Sequence, residues 1–320
     1  MSATNNAVDL AAQLRNKNKT GLADELKVDP HFWEDPTAAK LIEYAIKRGK
    51  NAIVVGPTGS GKSSLVINVL ARLKRRAEIV SCHGETSTDH LIGKPWLITD
   101  TETGESITKV VYGAALRAYH GDKSAPDGKT LILEEVDVAT SDVLMSMQRI
   151  LETKTDFYHC DIGEDEVLPK GKMFSVVATA NTIGTGEDSW RYSGTKPLNM
   201  AFINRFCPRI ILNYLPADKE TEVLVNKTGI DRNVAEYMVK VAVDVRQASD
   251  PKTIAAGQIP TSIGMALAGV ISTRDLIEWG DMVSELSFDI KEAAKFCFLN
   301  TMAEAEQEAV QKCIDDHYNL

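Results

Sequence analysis

No apolar run in this chain approaches the ~18 residues that a membrane-crossing helix needs. The first residues, Met1 to Asn18, are polar and lack the apolar centre of a secretion signal. These two absences predict a cytoplasmic protein with no membrane span. Cysteine is scarce: Cys82, Cys160, Cys207, Cys297 and Cys313 are scattered, with no CxxC pair. An odd count without a framework predicts reduced thiols. Cys82-His83 and His159-Cys160 place metal-capable side chains together, but neither has zinc-like spacing, which favours ordinary structural residues. A basic excess is also missing. The formal net charge is −9, whereas a protein that grips a phosphate backbone usually carries a basic face. Nucleic acid is therefore the less favoured partner, although overall acidity does not exclude a basic pore. What is present is an ordinary globular mixture, 43% hydrophobic and 25% charged over 320 residues. That suffices for one large domain or two moderate ones.

The most informative stretch runs from Ala52 to Ser64. A short apolar run, Ala52-Ile53-Val54-Val55, leads into Gly56-Pro57-Thr58-Gly59-Ser60-Gly61-Lys62-Ser63-Ser64. A strand, a glycine-rich turn and a helix beginning with Lys-Ser make the phosphate-loop pattern in its required context. Glycines let consecutive backbone N–H groups curl toward phosphate oxygens. The N-terminus of the helix adds partial positive charge. Lys62 is placed to reach the β- and γ-phosphates, and the Ser63 hydroxyl to ligate Mg²⁺. A nucleoside triphosphate site follows.

Around this loop the pattern alternates. Residues 1–27 read as a flexible tail. Pro36–Lys47 and Lys62–Arg75 read as helices with apolar faces. Glu78–Ser81, Leu131–Glu135, Phe174–Ala180 and Arg209–Leu212 read as strands, and Ser141–Glu152 as a helix. Trp96 to Val111, split by Asp100-Thr101-Glu102-Thr103-Gly104, reads as an inserted β-hairpin. The acidic run Glu164-Asp165-Glu166 reads as a second, solvated hairpin tip. Alternating strands and helices predict a parallel sheet covered on both faces. Residues 28–215 form this α/β part. From Pro216 the pattern turns helical: Asp218–Asn226, Asp231–Val245, Thr273–Val283 and Ile290–Cys313 predict a second, helical subdomain over 216–320.

A triphosphate hydrolase also needs acidic groups to position Mg²⁺ and the attacking water. Glu134 and Glu135 end an apolar strand, and alternation sets them on opposite sides, Glu134 toward the metal and Glu135 toward water. Asn181 ends the next strand. An amide there suits holding the lytic water, but it equally suits a turn. Arg205 lies late in the α/β part and could stabilise transition-state charge in a neighbouring subunit, or simply form a surface ion pair. Arg274 follows the capping Ser272-Thr273, at a helix start where a cation opposes the dipole. His31, Phe32 and Trp33 precede the first helix and serve either as a base contact or as an aromatic plug.

The order of these features resembles the AAA+ ATPases, and within them the MoxR-like branch and its CobS-like members. The matching runs are Asp29–Trp33 with Asp35-Pro36, Leu91–Lys94, Met147–Glu152, Ala178–Gly184, Asn213–Pro216 and Ser272–Arg274, with Phe298–Asn300 also similar. The resemblance covers roughly residues 28–310. It implies an ATP hydrolase with ATP and Mg²⁺ as ligands. It makes Gly56–Ser64 the Walker A loop and Glu134 and Glu135 Walker B, with Glu135 as the water-polarising base. It makes Asn181 sensor-1, Arg205 a finger acting on the next subunit, and Arg274 sensor-2. His31, Phe32 and Trp33 would lie near the adenine. The family also implies a homo-hexameric ring and a partner protein with a metal-dependent adhesion (von Willebrand A-like) domain, as in metal-chelatase complexes. One departure stands out: Glu134 occupies a position where the family usually has Asp, which points toward slower hydrolysis or an altered metal shell. The alternatives are a nucleic-acid-directed motor or loader, and a slowly hydrolysing, nucleotide-controlled structural ring.

Overall fold

In the computed structural model the β-branched runs of the sequence become the middle of a parallel sheet. The structure describes residues 26–318 apart from 100–103, 105, 124, 153–156, 161–165 and 183–197. The sheet is built from β1 (Ala52–Val55), β2 (Ala77–Ser81), β5 (Thr130–Glu134), β8 (Ser175–Ala180) and β9 (Arg209–Ile211), in the order β2-β5-β8-β1-β9. Every neighbouring pair is parallel; Val55, for example, lies beside Ala180 on one side and Ile211 on the other. The central strands β1 and β8 are buried along their whole length, as continuous apolar runs in a two-sided sheet should be.

Helices α1 (Pro36–Lys47) and α2 (Lys62–Arg72) pack on one face, with Ile42, Ile46, Leu65 and Leu70 against Val54, Ile132 and Val177. The other face is covered by α4 (Ala114–His120), α5 (Ser141–Ser146), α6 (Gln148–Leu151) and α7 (Met200–Ile203), with Tyr119, Phe174, Phe202 and Phe206 at its centre. Helix α3 (Thr88–Leu91) leads into the hairpin β3 (Gly93–Thr99) and β4 (Ser106–Tyr112), and a second hairpin pairs β6 (Phe157–Cys160) with β7 (Glu166–Pro169). The 1–27 tail lies almost wholly outside the described residues, as does most of the acidic tip at Glu164-Asp165-Glu166.

Beyond β9 the chain is helical: α8 (Ala217–Thr228), α9 (Arg232–Ser249), α10 (Pro251–Ala255), α11 (Thr273–Ser284), α12 (Ile290–Cys297) and α13 (Glu304–Tyr318). These helices share a core around Trp279, Met238, Val245 and Ile314, separate from the two cores on the sheet.

Four expectations need correction. The helix expected over Ser141–Glu152 is interrupted at Met147 and forms α5 and α6. The helix expected over Ile290–Cys313 breaks at Phe298, whose φ of −150° leaves the helical region, and a 3-10 turn over Leu299–Thr301 follows. Burial of both Phe298 and Leu299 in the helical core favours the bend over a straight helix. The helix after the phosphate loop stops at Arg72, and Lys74 turns left-handed at φ +52°. Most consequentially, β5 ends at Glu134, and Glu135 lies outside it at φ +54°. Strand alternation therefore does not set the direction of Glu135.

Candidate active site

The loop between β1 and α2 has glycine where only glycine fits. A Cβ on Gly56 would lie 1.9 Å from the Leu212 carbonyl oxygen, and one on Gly59 would lie 2.4 Å from Ser272. Gly59 and Gly61 also hold φ of +72° and +84°, a region L side chains avoid. Gly61 caps α2, whose free N–H groups open onto the loop.

Lys62 is buried, and its Nζ donates to the Gly56 carbonyl at 2.8 Å, the Pro57 carbonyl at 2.9 Å and Asn181 Oδ1 at 2.8 Å. The loop lysine and the strand-ending amide thus meet directly. Burial lowers the Lys62 pKa to about 8, with Asp137 and Glu135 opposing the fall and Arg274 adding to it. Thr58 Oγ1 also donates to Asn181 Oδ1, at 3.4 Å. The Ser60 hydroxyl is buried with no hydrogen-bond partner among the described residues. An orphan donor, a free helix N-terminus and a desolvated lysine form a cradle that fits phosphate oxygens.

Glu134 lies beside Ser81 in the register, and the Ser81 hydroxyl donates to Glu134 Oε2 at 2.8 Å. Glu135 is exposed, and its N–H donates to Thr179 Oγ1 at 3.2 Å. Its carboxylate acts electrostatically on Lys62, and a left-handed non-glycine residue is the kind of local strain that functional sites carry. The oxygen-only donor set of Ser63 and Glu134 fits a hard cation such as Mg²⁺.

Sequence reasoning missed Asp137. It is fully buried, and its Oδ2 accepts from the N–H groups of Asn181 at 2.8 Å and Thr182 at 3.1 Å. It therefore fixes the chain that presents Asn181. Its signal, an Asp two residues past the paired glutamates, was on the page, but only the fold shows what it faces. Cys82 sits beside this acidic strand end, and burial together with Asp137, Glu134 and Glu135 pushes its thiol up to about 12. It packs in the core on the Tyr119 face of the sheet.

A cavity of about 190 Å³ opens beside the loop, lined by Phe32 and Trp33 from the first segment, by the loop itself, and by Thr273 and Arg274 from α11. Phe32 both lines this cavity and packs on the α1–α2 core. Lys227 and Asp29, paired at 2.6 Å, join the end of α8 to the first segment at the rim. His31 does not line the cavity.

Arg205 is elsewhere. Its guanidinium donates to the Ala201 carbonyl, to Gln148 Oε1 at 3.2 Å and to Glu152 Oε1 at 3.4 Å. Its backbone carbonyl accepts from Asn51, immediately before β1. That puts it at the opposite end of β1 from the loop, about 13 Å of strand away. Away from both places, Asp244 accepts from Ser262 at 2.5 Å and from His317 at 2.9 Å, with Cys313 nearby. This cluster joins α9 to α13.

Both parts of the chain match known proteins. Residues 51–206 match the family described as AAA domain (dynein-related subfamily), and residues 220–318 match CbbQ/NirQ/NorQ C-terminal. The chain is similar to the aerobic cobaltochelatase subunit CobS of a Sinorhizobium species, 28% identical over 91% of this chain and 81% of that one. It is also similar to an uncharacterized protein of Staphylococcus haemolyticus, 25% identical over 83% of this chain and 90% of the other. Midasin of Dictyostelium discoideum is 25% identical over 76% of this chain, but over only 4% of its own length. Among the described residues, no helix is long and apolar enough to cross a membrane. With a phosphate loop, an acidic strand end and a helical second part all in place, the chain belongs to the AAA+ ATPases of the MoxR-like, CobS-resembling branch and is an ATP hydrolase.

Proposed function

We propose that this ATPase works as one subunit of a homo-hexameric ring, in which ATP turnover changes the angle between the α/β part (28–215) and the helical lid (216–320) and so remodels or activates a partner protein. The observation that carries this reading is the position of Arg205. A guanidinium at the far end of β1 is out of reach of its own phosphate loop, yet it is held in a fixed orientation by Gln148 and Glu152. Head-to-tail contacts between copies bring such a group to a neighbour's site and close into a ring.

Within one site the roles follow from reach and chemistry. Lys62 and the loop N–H groups bind phosphate. Ser63 and Glu134 would hold Mg²⁺, which would supply charge neutralisation at the phosphates. Glu135 polarises the attacking water, and Asn181, fixed by Asp137, orients it. Arg274 reaches the triphosphate from the lid side. The similarity to a cobaltochelatase subunit supports a chelatase-type assembly, with a partner bearing a von Willebrand A-like domain, in the cytoplasm. Net acidity disfavours nucleic acid as the load.

The test is ATP turnover against protein concentration for wild type beside Arg205→Ala. Specific activity should rise steeply with concentration, and Arg205→Ala should lose at least a hundredfold. Activity that is independent of concentration and indifferent to Arg205 would remove the composite site. ATP bound but not turned over by wild type would leave the slowly hydrolysing structural ring.

A further inference from the structure

Lid and phosphate loop come close at Gly59 and Ser272, where even a methyl group on the glycine would collide. Both residues flanking Ser272 are gripped by the same buried ion pair. Arg246 on α9 is bidentate to Glu220 on α8, at 2.7 and 2.9 Å. The Nε of Arg246 donates to the Ile271 carbonyl at 2.7 Å, and Thr273 Oγ1 donates to Glu220 Oε1 at 2.5 Å. Glu220 is fully buried and Arg246 nearly so. On its other side the Arg246 guanidinium stacks on the Tyr214 ring, 4.0 Å from the centroid. The Tyr214 hydroxyl donates to the Thr58 carbonyl at 2.9 Å. Thr58–Gly59 is a trans peptide; among the described residues only Cys207–Pro208 is cis. In a planar trans peptide C=O and N–H point in opposite directions. Holding the Thr58 carbonyl toward Tyr214 therefore aims the Gly59 N–H away from Tyr214.

We propose that Arg246 and Glu220, with Tyr214 as their link to the loop, are positioning residues: one buried pair fixes both the Gly59 amide and the start of α11, and so sets where Arg274 stands relative to the phosphates. The proposal rests on the reading of Arg274 as the lid arginine of the site. None of the three residues lines the cavity beside the loop, so their effect on turnover is transmitted. Fixed donors in the right place are what catalysis of phosphoryl transfer requires, and small displacements are costly in rate. The geometry separates two effects. Tyr214 orients a donor that serves bound ATP and the transition state alike, which is uniform binding and shows in KM. The ion pair sets Arg274, which shows in kcat.

The experiment is a mutant cycle on the full chain, with kcat and KM for ATP and a thermal melt for each variant. Arg246→Met combined with Glu220→Leu replaces the pair by apolar side chains, an exchange that often preserves folding. The expected result is a kcat at least tenfold down at a near-normal melting temperature, with less than twofold further loss when Arg274→Ala is added. Tyr214→Phe should raise KM three- to tenfold with kcat within twofold. Should the pair replacement not fold, Thr273→Val leaves the pair intact and should lower kcat about threefold in wild type but not in Arg274→Ala. Independent, multiplying losses would overturn the proposal, as would a pair or Thr273 variant that turns over normally while Arg274→Ala is slow. Normal turnover by Arg274→Ala itself would overturn the reading of that arginine, and the proposal with it.

Discussion

Lys62 shows how much a single residue's setting matters. The sequence gives a lysine after a glycine; the fold buries it and spends its three protons on Gly56, Pro57 and Asn181. Burial takes its pKa from the ordinary 10.5 to about 8. The folded-state value is therefore depressed, and between these limits the unfolded chain binds more protons. Stability tied to Lys62 rises as pH climbs through that window. A bound triphosphate favours the charged ammonium, so ATP binding should take up a proton at about pH 9, and affinity should weaken as pH rises from about 7 to 9. Calorimetric titration in two buffers of different ionisation enthalpy checks this; a binding enthalpy that ignores the buffer would mean Lys62 is already fully charged. Glu135 carries the complementary lesson. Its residue type and place after an apolar run were legible, but its left-handed backbone was not, because that conformation is imposed by contacts with Thr179 and Val138.

At the scale of elements, α11 links the lid core to the nucleotide cavity. It buries Leu276 and Trp279 in the lid and turns Arg274 out toward the cavity. Its start is fixed by a capping box: the Ser272 N–H and hydroxyl both donate to Asp275 Oδ2 at 2.8 Å, and Ser272 Oγ accepts from the Asp275 N–H at 3.3 Å. The cap also offsets the unfavourable cation in the first turn. Ser272→Ala should destabilise the lid by about 1 kcal/mol, seen as a lower denaturant midpoint at unchanged slope. No shift would mean that tertiary packing alone starts the helix. The capping residue and the apolar spacing were readable in the sequence. The breaks at Met147 and Phe298 were not, since helical periodicity continues through both and only packing decides where a helix bends.

For the whole molecule, three hydrophobic cores matter: one on each face of the sheet and one in the lid. Contacts between the α/β part and the lid include polar ones, notably Lys227 with Asp29 and the Arg246 guanidinium over the Tyr214 ring. A joint of this kind is a natural hinge, and a ligand touching both sides stiffens it. Adding a non-hydrolysable ATP analogue should therefore slow amide exchange in α11 and α12 more than in β1, β5 and β8. Equal slowing everywhere, or none in the lid, would argue that the two parts already move as one body.

The sequence alone determined the phosphate loop, the acidic strand end and the change from α/β to helical pattern. Each of these is local chemistry: glycines at tight turns, apolar runs of strand length, helical spacing. The tertiary structure alone decided what faces what. Asp137 became the support of Asn181, Arg205 was set at the far end of β1, and Arg246 met Glu220 beside the loop. These relations join residues distant in sequence, and parallel strands with crossover helices bring them together only after the cores have formed.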